Sequence, residues 1–304
     1  MKRDLIRLSD YSGDEILGLI DSADRLKKQK GKLRADLEGK SVALVFQKPS
    51  NRTRVSFEVG VYELGGHCLY LGPDEINLGK RETTHDVAKT LSRYVHCIVA
   101  RVFDNKDIVE LAKYADVPVI NALCDLYHPC QALADIQTIR EQFGRFKGLT
   151  LAYVGDGNNV FHSLMVACVK VGINVRFAGP KGYDPNPDIV RQAREFARKS
   201  KCTIELGRDP KEAVKGANVI YADVWVSMGQ EKETQKRVKE FKGYQINAAL
   251  MKLAHKDYVF MHCLPAHREL EVTAEIIDGK HSVIFDQAEN RLHAQKAVLL
   301  KLLK

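Results

Sequence analysis

The chain has 304 residues, 45% of them hydrophobic and 28% charged, with a formal net charge of +8. At roughly 100 to 200 residues per domain this length points to two domains, and the ordinary composition excludes disordered, fibrous and repeat architectures. No apolar run reaches the roughly 20 residues of a bilayer span, and the start MKRDLIRLSDYSGDE lacks the apolar core and cleavage site of a signal peptide, so a cytoplasmic protein without membrane partners is expected.

The first segment reads as a helix ending in the basic run RLKKQKGKLR, Arg25 to Arg34. It has no interleaved aromatics and reads as a solvated helix end and loop, not as a nucleic-acid surface. From there short apolar runs alternate with helical stretches, the pattern of βαβ units and a parallel sheet. Ser41 to Phe46, His67 to Leu71, Cys97 to Val102 and Val117 to Ala122 form one strand series. Leu149 to Gly155, Asn174 to Gly179, Cys202 to Leu206, Asn218 to Trp225, Tyr258 to Leu264 and Ser282 to Asp286 form a second. Two α/β units follow, a first over residues 1–145 and a second over 146–287.

The stretch FQKPSNRTRVSFE carries the strongest chemical signal. A buried strand runs into a helix whose N-cap is Ser50 and whose left-handed stop is Gly65 and Gly66. The free N–H groups of the first helical turn make an anion site, to which Ser50, Asn51 and Thr53 add donors and Arg52 and Arg54 add charge. Cations in a first turn oppose the helix dipole, so two arginines there point to a phosphate ligand. No GxxxxGK[ST] loop is present.

Further along, Arg101 ends the strand CIVAR and His128 precedes the helix HPCQALADIQTIREQFG, which Pro129 opens and Gly144 stops, with Leu133, Ile136 and Ile139 on one face. A strand-end arginine can be merely solvated and a histidine before proline merely a turn residue. Beside a phosphate site they point to polarisation of a reacting carbonyl, with Gln131 on the same side as His128.

The second series opens on LTLAYVGDGNNVFHSL. The third glycine of a dinucleotide fingerprint would fall at Val160, and the next strand lacks the acidic ribose ligand, so a nicotinamide cofactor is not expected. Gly155 and Gly157 instead form a tight turn presenting Asn158 and Asn159, either to cap the helix or to hold a carboxylate. Asp223 in DVWVSMG reads either as a cap or as an ammonium ligand, with N–H groups around Ser227 and Met228 suited to a carboxylate. In HCLP, His262 and Cys263 are strand neighbours on opposite faces, so Cys263 reads as a polar pocket wall and not as a His-activated nucleophile. The seven scattered cysteines contain no CxxC pair and indicate neither a disulfide framework nor a zinc site. The last segment, 288–304, is an amphipathic helix with Leu292, Ala297, Leu299, Leu300 and Leu303 on its apolar side, suited to packing back on the first domain.

With SNRTR, HPCQ, GDGNN, DVWVSMG, HCLP and AENRLHAQ in this order, the chain resembles the aspartate/ornithine carbamoyltransferase family over nearly its whole length, and Asp223 with SMG and HCLP resembles its ornithine branch. The resemblance implies two doubly wound parallel-sheet α/β domains joined by interdomain helices, the first binding carbamoyl phosphate and the second ornithine. It implies a carbamoyl transfer to the δ-amine of L-ornithine, giving citrulline and phosphate, without metal or cofactor.

Carried over by position, Ser50, Asn51, Arg52, Thr53 and Arg54 would hold the phosphate. Arg101, His128 and Thr53 would hold the carbamoyl oxygen, and Gln131 with the carbonyls near Cys263 and Leu264 its amide. Arg291 would close the pocket. Asn159, Asp223, Ser227 and Met228 would bind ornithine, and Asp223 and Cys263 would position its amine. Asn51 stands where the family usually has threonine. Asn77 stands where glutamine is common, on a loop that in relatives reaches a neighbouring subunit's site. The resemblance further implies a homo-oligomer, a trimer or a multiple of trimers. Putrescine, acetylornithine and aspartate fit Asp223 beside SMG less well than ornithine does. A nucleic-acid-binding role for the basic surface would show as salt-dependent binding without carbamoyl transfer.

Overall fold

A computed structural model describes residues 2–76, 78–79, 81–226 and 231–304. The chain divides into two compact units, Met1–Gln137 with Glu289–Lys304, and Thr138–Ala288.

In the first unit α1 (Gly13–Lys27) starts with a reciprocal Ser12 and Glu15 capping box. Then follow β1 (Ser41–Phe46), α2 (Asn51–Glu63), β2 (His67–Leu71), α3 (Pro73–Ile76), α4 (Thr84–Leu91), β3 (Cys97–Arg101), α5 (Asn105–Tyr114), β4 (Val119–Leu123) and the start of α6 (Pro129–Phe143). The four strands form one parallel sheet in the order β2-β1-β3-β4. The connection from β1 goes one way to β2 and the chain then returns to β3 on β1's other side. β1 and β3 therefore flank the topological switch point, where α/β sheets bind ligands beyond the strands' carboxyl ends. Phe46 and Arg101 are register partners at that edge. β1 and β3 are apolar almost throughout because helices cover a parallel sheet on both faces.

The second unit contains β5 (Thr150–Val154), α7 (Asn159–Val171), β6 (Asn174–Ala178), α8 (Pro187–Ser200), β7 (Ile204–Gly207), α9 (Pro210–Val214), β8 (Val219–Ala222), α10 (Thr234–Glu240), α11 (Ala248–Met251), β9 (Val259–His262), α12 (Ala274–Ile277) and the start of α13 (Ile284–Leu303). Its sheet is parallel in the order β7-β6-β5-β8-β9, with the switch point between β5 and β8. A cluster including Ala152, Ile220, Phe260 and Ile284 fills one side of it.

The expected strand at Ser282 to Asp286 is not one. Ser282 makes a single parallel bridge to Phe260, and α13 begins at Ile284. Apolar periodicity over five residues does not separate a strand from the entry to a buried helix. The final helix also departs from a simple amphipathic stripe: within the first unit Arg291, His293, Gln295 and Lys296 are buried together with Ala297 and Leu299. Polar side chains buried this deeply need partners: Arg291, Gln295 and Lys296 reach Thr53, Ser56 and Glu63 on α2, and His293 faces Glu289 on its own helix. Among the described residues no helix is long and apolar enough to cross a membrane.

Candidate active site

In the first unit, α2 starts where β1 ends. The Ser50 side chain accepts from the Thr53 N–H at 3.3 Å, leaving the remaining first-turn amides for a ligand. The loop between is pinned by Gln47, which accepts from the Phe103 N–H at 2.7 Å and donates to Asp107 at 2.9 Å. Its role was invisible in the sequence, where it is one polar residue among several.

Around this helix start the chain gathers cations. Arg101 is 7% exposed, Arg291 2% and His128 5%. Burial, then the positive charges of Arg291, Arg101, Lys48 and Arg52, hold His128 well below the usual imidazole range. Burial and the nearby Arg101 push Lys48, which precedes the motif and was not singled out from sequence, down to about 8. A group of like charges that lowers its own members' basicity is a site shaped for an anion. Arg291 donates to Gln131 at 2.8 Å and to Thr53 at 3.2 Å, and Gln131 donates to Asp135 at 2.8 Å. Arg54 lies elsewhere: its guanidinium is exposed on α2, 3.0 Å from Glu58 and stacked 3.8 Å from the Tyr70 ring centroid.

Neutral buried histidines make a pH signature. His293 is held at about 4 by burial, opposed by Glu289. Both histidines bind protons more readily in the unfolded chain, so the stability they contribute is complete above pH 6.5 and is lost as pH falls below it. For His293 this amounts to about 1 kcal/mol by pH 5 after allowance for solvent screening. The thermal midpoint should fall between pH 7 and pH 5, and less steeply in His293→Asn. Parallel slopes for the two proteins would contradict this account of His293.

In the second unit Asp223 leaves the end of β8 beside the turn after β5, at the switch point. The carboxylate is 5% exposed and well supplied with donors. Oδ2 accepts from the Asn158 amide at 2.7 Å, and Oδ1 accepts from the Val224 N–H at 2.8 Å and the Cys263 thiol at 3.1 Å. Asn158 also caps α7, accepting from the Val160 and Phe161 amides. The capping reading of Asn158 is therefore the one seen, and its amide nitrogen is engaged by the chain's own Asp223. Asn159 is the first residue of α7. Gly155 has φ 148, and a Cβ on Gly157 would lie 2.3 Å from the Pro185 nitrogen, so each glycine has its own backbone reason.

His262 is fully buried, with Nδ1 accepting from the Leu264 N–H at 2.9 Å and Nε2 3.3 Å from Glu271. It thus supports the turn at Leu264, whose φ of 58 is strained for a branched residue. The Cys263 thiol points to Asp223 instead. Asp223, His262 and Cys263 nonetheless offer ligand atoms all within 4.8 Å of one another, a cluster able to meet one ion that no CxxC spacing announces. Arg237, also missed in the sequence, is buried and donates to Asp156 at 2.7 Å and to the Trp225 carbonyl at 3.1 Å. Asn77, Ser227 and Met228 lie outside the described residues.

One unit presents a cation-ringed helix start and the other a buried, well-donated carboxylate, each at the switch point of a parallel sheet, the organisation of a two-unit α/β enzyme. Residues 3–141 match the profile of the aspartate/ornithine carbamoyltransferase carbamoyl-P binding domain, and residues 147–302 that of the Asp/Orn binding domain. The chain is 56% identical to the ornithine carbamoyltransferase of Thermococcus kodakarensis, with 98% of this chain and 95% of that protein covered. It is 55% identical to the anabolic ornithine carbamoyltransferase of Pyrococcus furiosus, covering 98% of this chain and 95% of that one. A solved ornithine carbamoyltransferase structure from Pyrococcus furiosus superposes with a TM-score of 0.95 at 55% identity, covering 98% and 96% of the two chains. The chain belongs to the aspartate/ornithine carbamoyltransferase family.

Proposed function

We propose that the protein transfers the carbamoyl group of carbamoyl phosphate to the δ-amine of L-ornithine, giving L-citrulline and phosphate, in the synthetic direction. The observation that carries the donor half is the convergence of Lys48, Arg52, Arg101 and Arg291 on a neutral His128 at a helix N-terminus. The phosphate lies against the first turn of α2, with Ser50, Asn51, Arg52 and Thr53 around it. Arg101, His128 and Thr53 hold the carbamoyl oxygen, and Gln131 its amide.

The lone pair of the neutral amine attacks the carbamoyl carbon, the carbonyl oxygen gains negative charge, and the bond to the phosphate oxygen breaks with its electron pair, the phosphate leaving with the proton that the attacking nitrogen gives up. Arg101 and His128 act on charge that develops mainly in the transition state. A neutral imidazole donates its one N–H to that oxygen without transferring the proton, and its depressed basicity keeps it in that neutral form. In the second unit Asp223 holds an ammonium of ornithine, with Asn159, Ser227 and Met228 as further ligands and the Cys263 thiol fixing the carboxylate.

We also propose a cytoplasmic trimer. The reducing compartment is supported by the absence of any disulfide among the described residues. Assembly is supported by an exposed apolar stripe of Val55, Val59 and Tyr62 on α2 beside Leu69 on the edge strand β2. Light scattering should give about three times the 34.2 kDa chain mass or a multiple of it.

The decisive test is an amine panel. With carbamoyl phosphate, ornithine should be carbamoylated faster than putrescine, N-acetylornithine or aspartate, and faster turnover of putrescine would sink the assignment.

A further inference from the structure

The donor site is built on α2, yet much of what holds it comes from α13. Gln295 of α13 is fully buried. Its Oε1 accepts from Arg291 Nε at 3.0 Å and its Nε2 donates to Ser56 Oγ at 2.7 Å. Ser56 Oγ in turn donates to the backbone carbonyl of Arg52, in the first turn of α2. The other two guanidinium nitrogens of Arg291 reach Gln131 and Thr53. One amide therefore ties together both branches of the site: the guanidinium facing the carbamoyl-side residues, and the turn of backbone that receives phosphate.

The two helices are also fixed along their length. Lys296 pairs with Glu63 at the far end of α2, and a Cβ on Gly60 would lie 3.1 Å from the Lys296 stem. This close approach sets the distance that Gln295 spans.

We propose that Gln295 is a positioning residue for carbamoyl phosphate, holding Arg291 and the first turn of α2 in one arrangement; this rests on the donor assignment above. The amide supplies an acceptor for Arg291 and a donor for Ser56 from one planar group. Glutamate keeps the acceptor and lacks the donor, and leucine keeps neither. Chained hydrogen bonds of this kind polarise one another, so breaking either link loosens the other.

The test measures binding of carbamoyl phosphate and of inorganic phosphate by calorimetry, with steady-state kinetics and thermal midpoints, for Gln295→Leu, Gln295→Glu and Ser56→Ala. Gln295→Leu should raise the KM for carbamoyl phosphate about 10- to 100-fold, by analogy with the loss seen when groups supporting a metal's ligands are removed, with the KM for ornithine within about twofold. Gln295→Glu restores the Arg291 branch alone, and Ser56→Ala removes the α2 branch alone. Ser56→Ala should lose roughly three- to tenfold in phosphate affinity, and Gln295→Glu at least as much, because its carboxylate also brings a negative charge beside Arg291.

A residue that merely glued the helices would lower the thermal midpoint and leave the affinities of the folded protein unchanged, and that result would overturn the proposal. If Gln295→Leu does not fold, Ser56→Ala decides: unchanged phosphate affinity there also overturns it. Should the wild type fail to carbamoylate ornithine, the functional reading falls, while the phosphate titrations still report on the relay.

Discussion

Asp223→Asn is expected to lower kcat/KM for ornithine by about 10²- to 10³-fold, roughly 3 to 4 kcal/mol of lost recognition, while the KM for carbamoyl phosphate stays within about threefold. The carboxylate is nearly buried and receives three donors, from Asn158, Val224 and Cys263. Asparagine keeps the size but turns one acceptor oxygen into a donor. That donor then faces either the Asn158 amide or the Val224 N–H and the thiol, and the negative charge that an ammonium needs is gone. Kinetics with each substrate varied in turn separate the two effects. If ornithine kinetics are unchanged, Asp223 is not the ammonium ligand. Asn158→Ala should show a smaller loss toward ornithine together with about 1 kcal/mol of lost stability, because it removes the α7 cap and a donor to Asp223 in one step.

That double role marks where reading from sequence stops. Asn158 and Asp223 are 65 positions apart, and Cys263 is a further 40 on. They meet because β5 and β8 are neighbours at the switch point, and strand order is a tertiary choice that local pattern does not encode. Where the physics is local, legibility was good. The apolar run Ser41 to Phe46, the cap Ser50, and Pro129 and Gly144 at either end of α6 each carry their own reason, and β1, α2 and α6 form there. The run Ser282 to Asp286 failed for the same reason that it looked promising: a few buried apolar residues fit a strand or a helix entry equally. Arg237 and Gln295 were illegible because a polar residue on a helix is ordinary until burial makes it costly, and Lys48 because the charge that faces it, Arg101, comes from another strand. Only the structure shows which ones are buried and what repays the desolvation.

Arg52→Ala is expected to raise the KM for carbamoyl phosphate by about 100-fold, near 3 kcal/mol for loss of a charged contact, whereas Arg54→Ala should change it by less than about threefold. The sequence places both arginines in one phosphate motif, but residues two apart on an α-helix point to nearly opposite sides. Arg52 is among the charges that depress His128. Arg54 is exposed, paired with Glu58 and laid over Tyr70. An exposed i,i+4 pair contributes only about 0.3 to 0.5 kcal/mol, so its loss leaves the donor site standing. Removing Arg52 also withdraws a positive charge from His128, so the imidazole's protonation must move upward toward its ordinary range. In Arg52→Ala the acidic limb of the kcat/KM profile should therefore shift to higher pH than in the wild type, and Arg54→Ala should leave it in place. Equal damage from the two substitutions, or an acidic limb that Arg52→Ala does not move, would show that the charge field around His128 is built differently from the one described.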